Sequence, residues 1–328
     1  MRKRLSVEDY TAGILAGDRI MLSQAITVTE SSLPADKELA AAILKKMLPR
    51  SGNALRIGIT GIPGVGKSTF IESFGTYLTS LGKQVAVLAV DPSSQKSRGS
   101  ILGDKTRMER LSLNPKAYIR PSATGLFLGG IARSTREIML LCEAAGFDII
   151  LIETVGVGQS ETLVKGITDF FLLLMLAGAG DELQGIKKGI MEMADAIAIN
   201  KADGNNEQAA ALAVSAYQNA LHLFPKADSG FATEVLTCSA LRENGMETIW
   251  KLIQNFEQTT RANGFFDQNR QNQNLNWMHD RIRQSLENRF FNDPMIKTRL
   301  AALENAVREG RELPDSAAED LLRVFLTK

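Results

Sequence analysis

The segment GITGIPGVGKST contains the residues of this chain best suited to chemistry, because residues 61–68 fit the pattern G-x-x-x-x-G-K-[ST]. Glycines let the backbone of such a loop turn its N–H groups toward phosphate oxygens. Lys67 is expected to reach the β- and γ-phosphates, and Ser68 to bind Mg²⁺, at the start of a helix whose dipole favours an anion. The predicted phosphate-loop contacts are Gly61, Pro63, Gly64, Val65, Gly66, Lys67, Ser68 and Thr69.

Two later segments predict that the bound base is guanine. In NKAD, Asp203 can accept hydrogen bonds from the N1–H and exocyclic amine of guanine, a donor pair that adenine lacks. A site built around such a partner rejects the analogue without it by roughly 10⁴–10⁵. Asn200 is expected to brace this loop, and the stem of Lys201 to lie over the base. The backbone of TCSAL would contact the guanine carbonyl oxygen, with Ser239, Ala240 and Leu241 as candidates.

Three carboxylates are candidate metal ligands, because Mg²⁺ prefers oxygen donors with one or two carboxylates. Asp91 and Glu153 each end an apolar run, and Asp104 follows a polar, glycine-containing loop. A helix cap is the alternative for both aspartates. After Glu153, Gly156 could offer its N–H to the γ-phosphate. Gln159 could position the attacking water, although a polar surface position on a loop explains it better.

Six apolar runs predict the strands that position these residues. Their near-continuous apolar character is typical of parallel strands that are buried on both faces. The expected fold class is therefore α/β, a P-loop NTPase (G domain) with a doubly wound, mainly parallel sheet, and each motif falls at the carboxyl end of a strand. The predicted strands are 55–60, 84–90, 148–153, 169–175, 195–200 and 234–240. The predicted organisation is an N-terminal helical extension over 1–50, a GTPase domain over 51–262 and a C-terminal helical arm over 263–328, which opens on a polar, linker-like stretch.

Composition narrows the class of protein further. The formal net charge of +1 gives no support to a nucleic-acid or membrane-surface role. The longest apolar run, residues 170–180, is too short to span a bilayer. The basic start of the chain is not followed by the apolar segment that a signal peptide has. The chain has two cysteines, and such a low number is typical of a reducing compartment. A cytoplasmic protein is therefore expected.

Several segments together resemble the methylmalonyl-CoA mutase-associated GTPases, which are GTP-dependent chaperones of adenosylcobalamin-dependent mutases. The resemblance covers nearly the whole chain, and older annotation of this family uses the name arginine/ornithine transport-system kinase or ATPase. Its most specific parts are ETVGVGQSE and GDELQGIKKG, and residues 120–130 depart from the family pattern. The segments that carry it are GIPGVGKST, VDPSS, ETVGVGQSE, GDELQGIKKGIMEMADAIAINKAD and LPDSAAEDLL.

The resemblance implies Mg²⁺ and GTP or GDP as ligands, with metal-linked carboxylates at Asp91, Asp104 and Glu153. It also implies that residues 177–189, with Lys188 as a catalytic candidate, form a switch that contacts the mutase, although an ordinary loop stays possible. A homodimer is implied, with residues 264–328 as its arm.

Two other functions stay open at this point. One is a P-loop kinase or ATPase that phosphorylates a periplasmic amino-acid-binding protein, as the older family name suggests. The other is a metal-delivery GTPase of the nickel-maturation type. The wide separation of the two histidines, His222 and His279, and the apolar surroundings of both cysteines argue against the second.

Overall fold

The structure, a computed structural model, describes residues 4–90, 108–120, 128–154, 160–178 and 188–327. Within these ranges, no helix combines the length and the apolar character that crossing a membrane requires. The chain divides into two compact units, Met1–Arg270 and Gln271–Lys328.

A parallel sheet forms the centre of the first unit. The described residues contribute seven strands in the order β3-β2-β4-β1-β5-β6-β7, and every neighbouring pair is parallel. The central position of β1 and β4 brings their carboxyl ends side by side, where ligands bind in doubly wound sheets. The strands are β1 (Leu55–Gly61), β2 (Val85–Val90), β3 (Ala117–Arg120), β4 (Ile149–Thr154), β5 (Phe170–Leu176), β6 (Ala196–Asn200) and β7 (Glu234–Thr237).

Helices surround this sheet in the first unit and make up the second. The helices of the first unit are α1 (Val7–Leu15), α2 (Arg19–Thr29), α3 (Pro34–Met47), α4 (Lys67–Ser80), α5 (Glu109–Leu113), α6 (Leu128–Ala144), α7 (Ser160–Lys165), α8 (Lys188–Met193), α9 (Glu207–Leu221) and α10 (Met246–Ala262). Helix α11 (Phe265–Asn292) contains the boundary between the units, and α12 (Pro294–Arg308) and α13 (Pro314–Leu326) follow it.

The apolar strands have cores on both faces because successive side chains point to opposite sides. Val85 and Val87 of β2 pack in a cluster with α4 and α10. Ala86 and Leu88 of the same strand pack in a second cluster with α1, α2, α3 and α6. The N-terminal helices therefore share a core with the sheet. A third cluster joins β5 and β6 to α8 and α9.

Two features of the fold differ from the sequence-based prediction. Strand β3 was missed, since its four residues, AYIR, follow a helix of only five residues and are too short for a recognisable pattern. The stretch 263–274 was predicted as a polar linker, but α11 begins at Phe265 and continues through it. Phe266 is buried and anchors the start of this otherwise polar helix.

A buried ion pair fixes the same helix start. The guanidinium of Arg270 donates from Nε and Nη2 to Asp169, at 2.7 and 2.6 Å, and also to the carbonyl oxygens of Gly52 and Ala54. The guanidinium lies 4.5 Å from the ring centroid of Phe266. A bidentate arginine–carboxylate pair gives both energy and orientation. These contacts hold the first turns of α11 beside the amino end of β1, on the opposite edge from the predicted site.

Candidate functional site

The phosphate loop lies between β1 and α4, with a backbone that depends on glycine at two points. A Cβ atom added to Gly61 would lie 2.4 Å from the carbonyl oxygen of Leu174, on the neighbouring strand β5. Gly66 precedes the first residue of α4 with φ of 90°, in the left-handed region that favours glycine. The loop therefore ends directly on the N-terminus of α4, where backbone N–H groups can bind an anion.

Lys67, the first residue of α4, is partly buried at the end of this loop. Its ammonium donates to the carbonyl oxygen of Gly61 at 2.8 Å, and more weakly to that of Ile62 at 3.4 Å. Burial lowers the pKa of Lys67, while the carboxylates of Glu153 and Glu161 oppose this effect by favouring the charged form. The loop thus holds a partly desolvated cation whose charged form is favoured by two carboxylates.

Glu153 lies at the carboxyl end of β4 and contacts the phosphate loop. Its side chain is buried, and its Oε1 accepts a hydrogen bond from the Ser68 hydroxyl at 3.2 Å. The next residue, Thr154, is joined to Thr60 of β1 by a buried hydroxyl–hydroxyl bond of 2.8 Å. The parallel pairing of β1 and β4 therefore brings a carboxylate and the phosphate-loop serine together at one point.

Asn200, the last residue of β6, connects three segments through one side-chain amide. Its Nδ2 donates to the carbonyl oxygen of Val65 in the phosphate loop, at 2.8 Å. Its Oδ1 accepts from the backbone N–H of Ala240, at 3.0 Å, and from the thiol of Cys238, at 3.6 Å. Since Asn200 is almost fully buried, this amide fixes the distance between the phosphate loop and the segment after β7.

The other residues of the NKAD segment lie at the same edge. Lys201 has φ of 60°, and its Nζ donates to the carbonyl oxygen of Gly64 at 2.9 Å. The hydroxyl of Ser239 donates to the carboxylate of Asp203 and accepts from the N–H of Arg242 at 3.1 Å. The carboxylate that was predicted to read guanine is thus held by the segment that was predicted to contact the guanine carbonyl.

Several predicted site residues cannot be placed in this way. Asp91, Asp104, Gly156 and Gln159 lie outside the described residues. Lys188 begins helix α8, and its side chain also lies outside the described part. The remaining predicted site residues, with Pro63, Thr69 and the largely exposed Leu241 among them, all lie in the phosphate loop, the NKAD segment, the segment after β7 or the end of β4.

Two residues at this edge were not singled out from the sequence. Glu161, at the start of α7, is almost fully buried and acts electrostatically on Lys67. Its place in ETVGVGQSE, two residues after Gln159, was a usable signal. Ser73 of α4 donates to the carbonyl oxygen of Ala240 at 2.6 Å. This contact joins residues 167 positions apart, so no local sequence pattern could have predicted it.

Known proteins match this chain over most of its length. A family model described as methylmalonyl Co-A mutase-associated GTPase MeaB matches residues 22–295. A protein of Caulobacter vibrioides that is named as a GTPase is 50% identical over 318 residues, which cover 97% of both chains. The mitochondrial methylmalonic aciduria type A homolog of Mus musculus is 42% identical over 332 residues, covering 98% of this chain and 80% of the relative.

A solved structure gives the same result for the fold. The crystal structure of an LAO/AO transport system kinase matches with a TM-score of 0.79 and 37% identity, and the match covers all of both chains. The expected fold class is confirmed by this match and by the parallel sheet. The expected family is confirmed by the family model and by the relatives. This chain belongs to the family of methylmalonyl-CoA mutase-associated GTPases, and it is a GTP-hydrolysing enzyme.

Proposed function

We propose that this GTPase binds Mg²⁺ and GTP at the carboxyl edge of its sheet and acts as a chaperone that assembles, protects or reactivates an adenosylcobalamin-dependent methylmalonyl-CoA mutase. The observation that carries the nucleotide site is the Asn200 amide, which links the phosphate loop to the segment after β7. The mutase is supported by the description of the family model and by the name of the mouse relative. A cytoplasmic location remains part of this proposal.

The donors at the phosphate loop fit a magnesium ion. Ser68 supplies a hydroxyl and Glu153 a carboxylate, and their oxygens lie 3.2 Å apart. Both are hard oxygen donors of the kind that Mg²⁺ selects. We assign Ser68 and Glu153 to the metal site, and propose Asp91 and Asp104 as further carboxylates in it. When bound, the metal ion neutralises negative charge on the phosphates.

The residues of the loop have separate tasks in hydrolysis. The reaction forms a bond between a water oxygen and the γ-phosphorus and breaks the bond from that phosphorus to the β–γ bridging oxygen of GDP. Negative charge on the transferring group is stabilised by the ammonium of Lys67 and by N–H groups at the start of α4. Glu153 holds the Ser68 hydroxyl in place from the end of β4. Gly156, Gln159 and Lys188 stay candidates for contacting the γ-phosphate and water.

Glu153→Gln should lower Mg²⁺-dependent GTP hydrolysis by about a hundredfold, the size expected when one preorganised electrostatic group is lost. Glutamine keeps the shape and can still accept from Ser68, so the variant removes charge with little change in packing. Steady-state phosphate release over a range of Mg²⁺ concentrations measures the effect. Glu247→Gln, at an exposed site on α10, is the matched control and should behave as wild type. A Glu153→Gln enzyme with normal Mg²⁺ dependence would remove Glu153 from the metal site.

The C-terminal helices are proposed to form a dimerisation arm over residues 263–328. On α11, four apolar side chains are about half exposed and recur at intervals of three or four residues, which places them on one face of the helix. Such a face is stabilised when it is covered by another apolar surface. These side chains are Leu275, Met278, Ile282 and Leu286.

Placing charge on this face should dissociate the homodimer. A Met278→Glu, Ile282→Glu variant would bury two carboxylates at the interface, which is costly without partners. We expect a monomer by sedimentation or light scattering at concentrations where the wild type is a dimer. Asn276→Glu, about 100° around the helix from Leu275, should leave the dimer intact. A double variant that remains dimeric would place the interface elsewhere.

The fate of the γ-phosphate separates the chaperone from the alternative function. The match to an LAO/AO transport system kinase keeps a phosphotransferase in consideration. With GTP labelled at the γ-phosphate, the chaperone releases free phosphate and forms a complex with the mutase on a sizing column. Label that accumulates on an amino-acid-binding protein, with no mutase complex, would instead support the kinase.

A further inference from the structure

Ser73 makes an unusual contact for a serine inside a helix. Serine and threonine hydroxyls in helices commonly bond back to carbonyl oxygens of the preceding turn. Thr76, Thr79 and Ser80 of α4 do so, with acceptors in the same helix. The buried Ser73 instead donates across the structure to the carbonyl oxygen of Ala240, at 2.6 Å.

This contact closes a ring of hydrogen bonds around the base-reading segment. The ring runs from the carbonyl oxygen of Val65 to the amide of Asn200, and from that amide to the N–H of Ala240. It returns from the carbonyl oxygen of Ala240 to Ser73, on the helix that follows the phosphate loop. Both backbone groups of Ala240 are therefore held by side chains that are fixed relative to the phosphate loop.

The orientation of one peptide unit follows from this ring. In a trans peptide the C=O and the following N–H point in opposite directions. With the Ala240 carbonyl directed at Ser73 inside the protein, the N–H of Leu241 points away from α4. Leu241 is largely exposed and is the second residue of a turn that Glu243 closes by donating to Ala240 at 3.4 Å. The outward N–H is thus presented at the same edge as Asp203.

We propose that Ser73 is a positioning residue for base specificity, which orients the Ala240–Leu241 peptide so that the Leu241 N–H donates to the 6-oxo group of a purine. The inference rests on the proposed nucleotide site. Asp203 is assigned to the N1–H and the exocyclic amine, so Ser73 acts on a different part of the base. Without the Ser73 hydroxyl, the buried carbonyl of Ala240 loses a partner, and this loss favours displacement of the peptide.

Three nucleotides separate this role from a general structural one. GDP and inosine diphosphate both carry the 6-oxo group, whereas 6-thio-GDP carries sulfur there, a weak acceptor, and keeps the N1–H and the amine. Ser73→Ala should weaken binding of GDP and of inosine diphosphate by about fivefold to tenfold, the value of one hydrogen bond. It should weaken binding of 6-thio-GDP by less than about twofold. Titration calorimetry on the full chain gives the three affinities.

Two further variants complete the experiment. Thr79→Val removes a buried hydroxyl from the same helix and should leave all three affinities unchanged. Leu241→Pro removes the proposed donor itself, at a turn position that accommodates proline, and should reproduce the nucleotide pattern of Ser73→Ala. If Ser73→Ala does not fold, the three affinities of Leu241→Pro test whether the Leu241 N–H donates to the 6-oxo group.

Equal losses for all three nucleotides, or no loss for any, in the folded variant would overturn the proposal. Failure of the underlying site gives a different result. In that case the wild type does not bind GDP, or Asp203→Ala binds it as tightly as the wild type. A wild type that binds GDP, an Asp203→Ala that binds it more weakly, and a Ser73→Ala with unchanged affinities would overturn the role of Ser73 alone.

Discussion

Lys67→Ala should lower the rate of GTP hydrolysis by roughly 10²–10³-fold, the range found when one preorganised donor to the reacting group is removed. The ammonium of Lys67 is partly buried at the phosphate loop, and the carboxylates of Glu153 and Glu161 act on it electrostatically. A cation in such surroundings interacts with phosphate charge more strongly than one in water. Alanine at this position also frees the carbonyl of Gly61, so the loop loses an internal contact.

Single-turnover phosphate release at saturating GTP measures this loss without a contribution from product dissociation. Lys251→Ala, at an exposed position on α10, is the matched control and should keep the wild-type rate. Circular dichroism verifies that both variants are folded. A Lys67→Ala protein with wild-type turnover would exclude Lys67 from the reaction.

Asp203→Ala should remove most of the preference for GTP over ATP. A carboxylate that binds two donors of guanine can support a preference of roughly 10⁴–10⁵, because adenine leaves it unpaired. We expect the ratio of the two affinities to fall by at least about a hundredfold, since the discrimination against adenine rests on that pair. The 6-oxo contact proposed for Leu241 accounts for the preference that remains.

Competition between GTP and ATP for one fluorescent nucleotide measures this ratio directly. Asp228→Ala, an exposed carboxylate in the loop before β7, should keep the wild-type ratio. An unchanged ratio in Asp203→Ala would mean that this carboxylate does not read the base. A loss of all nucleotide binding, including the phosphate contribution, would also contradict the separation of tasks along the sheet edge.

The sequence predicted the sheet well where a strand is long and buried on both faces. Strands β1, β2, β4, β5 and β6 have mostly apolar runs, and each prediction overlaps the observed strand. Strand β3 has four residues at the sheet edge, a length at which a strand has no detectable period. Helix α11 was missed at its start because Phe266 and Arg270 stabilise it through distant partners.

In the site, too, features set by a local sequence pattern could be predicted, whereas contacts between distant segments could not. The phosphate loop is a local pattern, and its glycines are required by the backbone geometry seen at Gly61 and Gly66. The contact of Glu153 with Ser68 depends on the order of strands in the sheet, which spacing along the chain does not determine. The contact of Ser73 with Ala240 depends on how α4 packs beside the segment after β7.

The rate of GTP hydrolysis with and without a saturating amount of adenosylcobalamin-dependent methylmalonyl-CoA mutase tests the central claim most directly. Intrinsic turnover should be slow, on the order of 10⁻⁴–10⁻² s⁻¹, as in GTPases that act without a stimulating partner. The proposed function predicts that the mutase accelerates hydrolysis and that Lys67→Ala abolishes the acceleration. A rate that saturating mutase leaves unchanged, in a mixture where no complex forms, would contradict it.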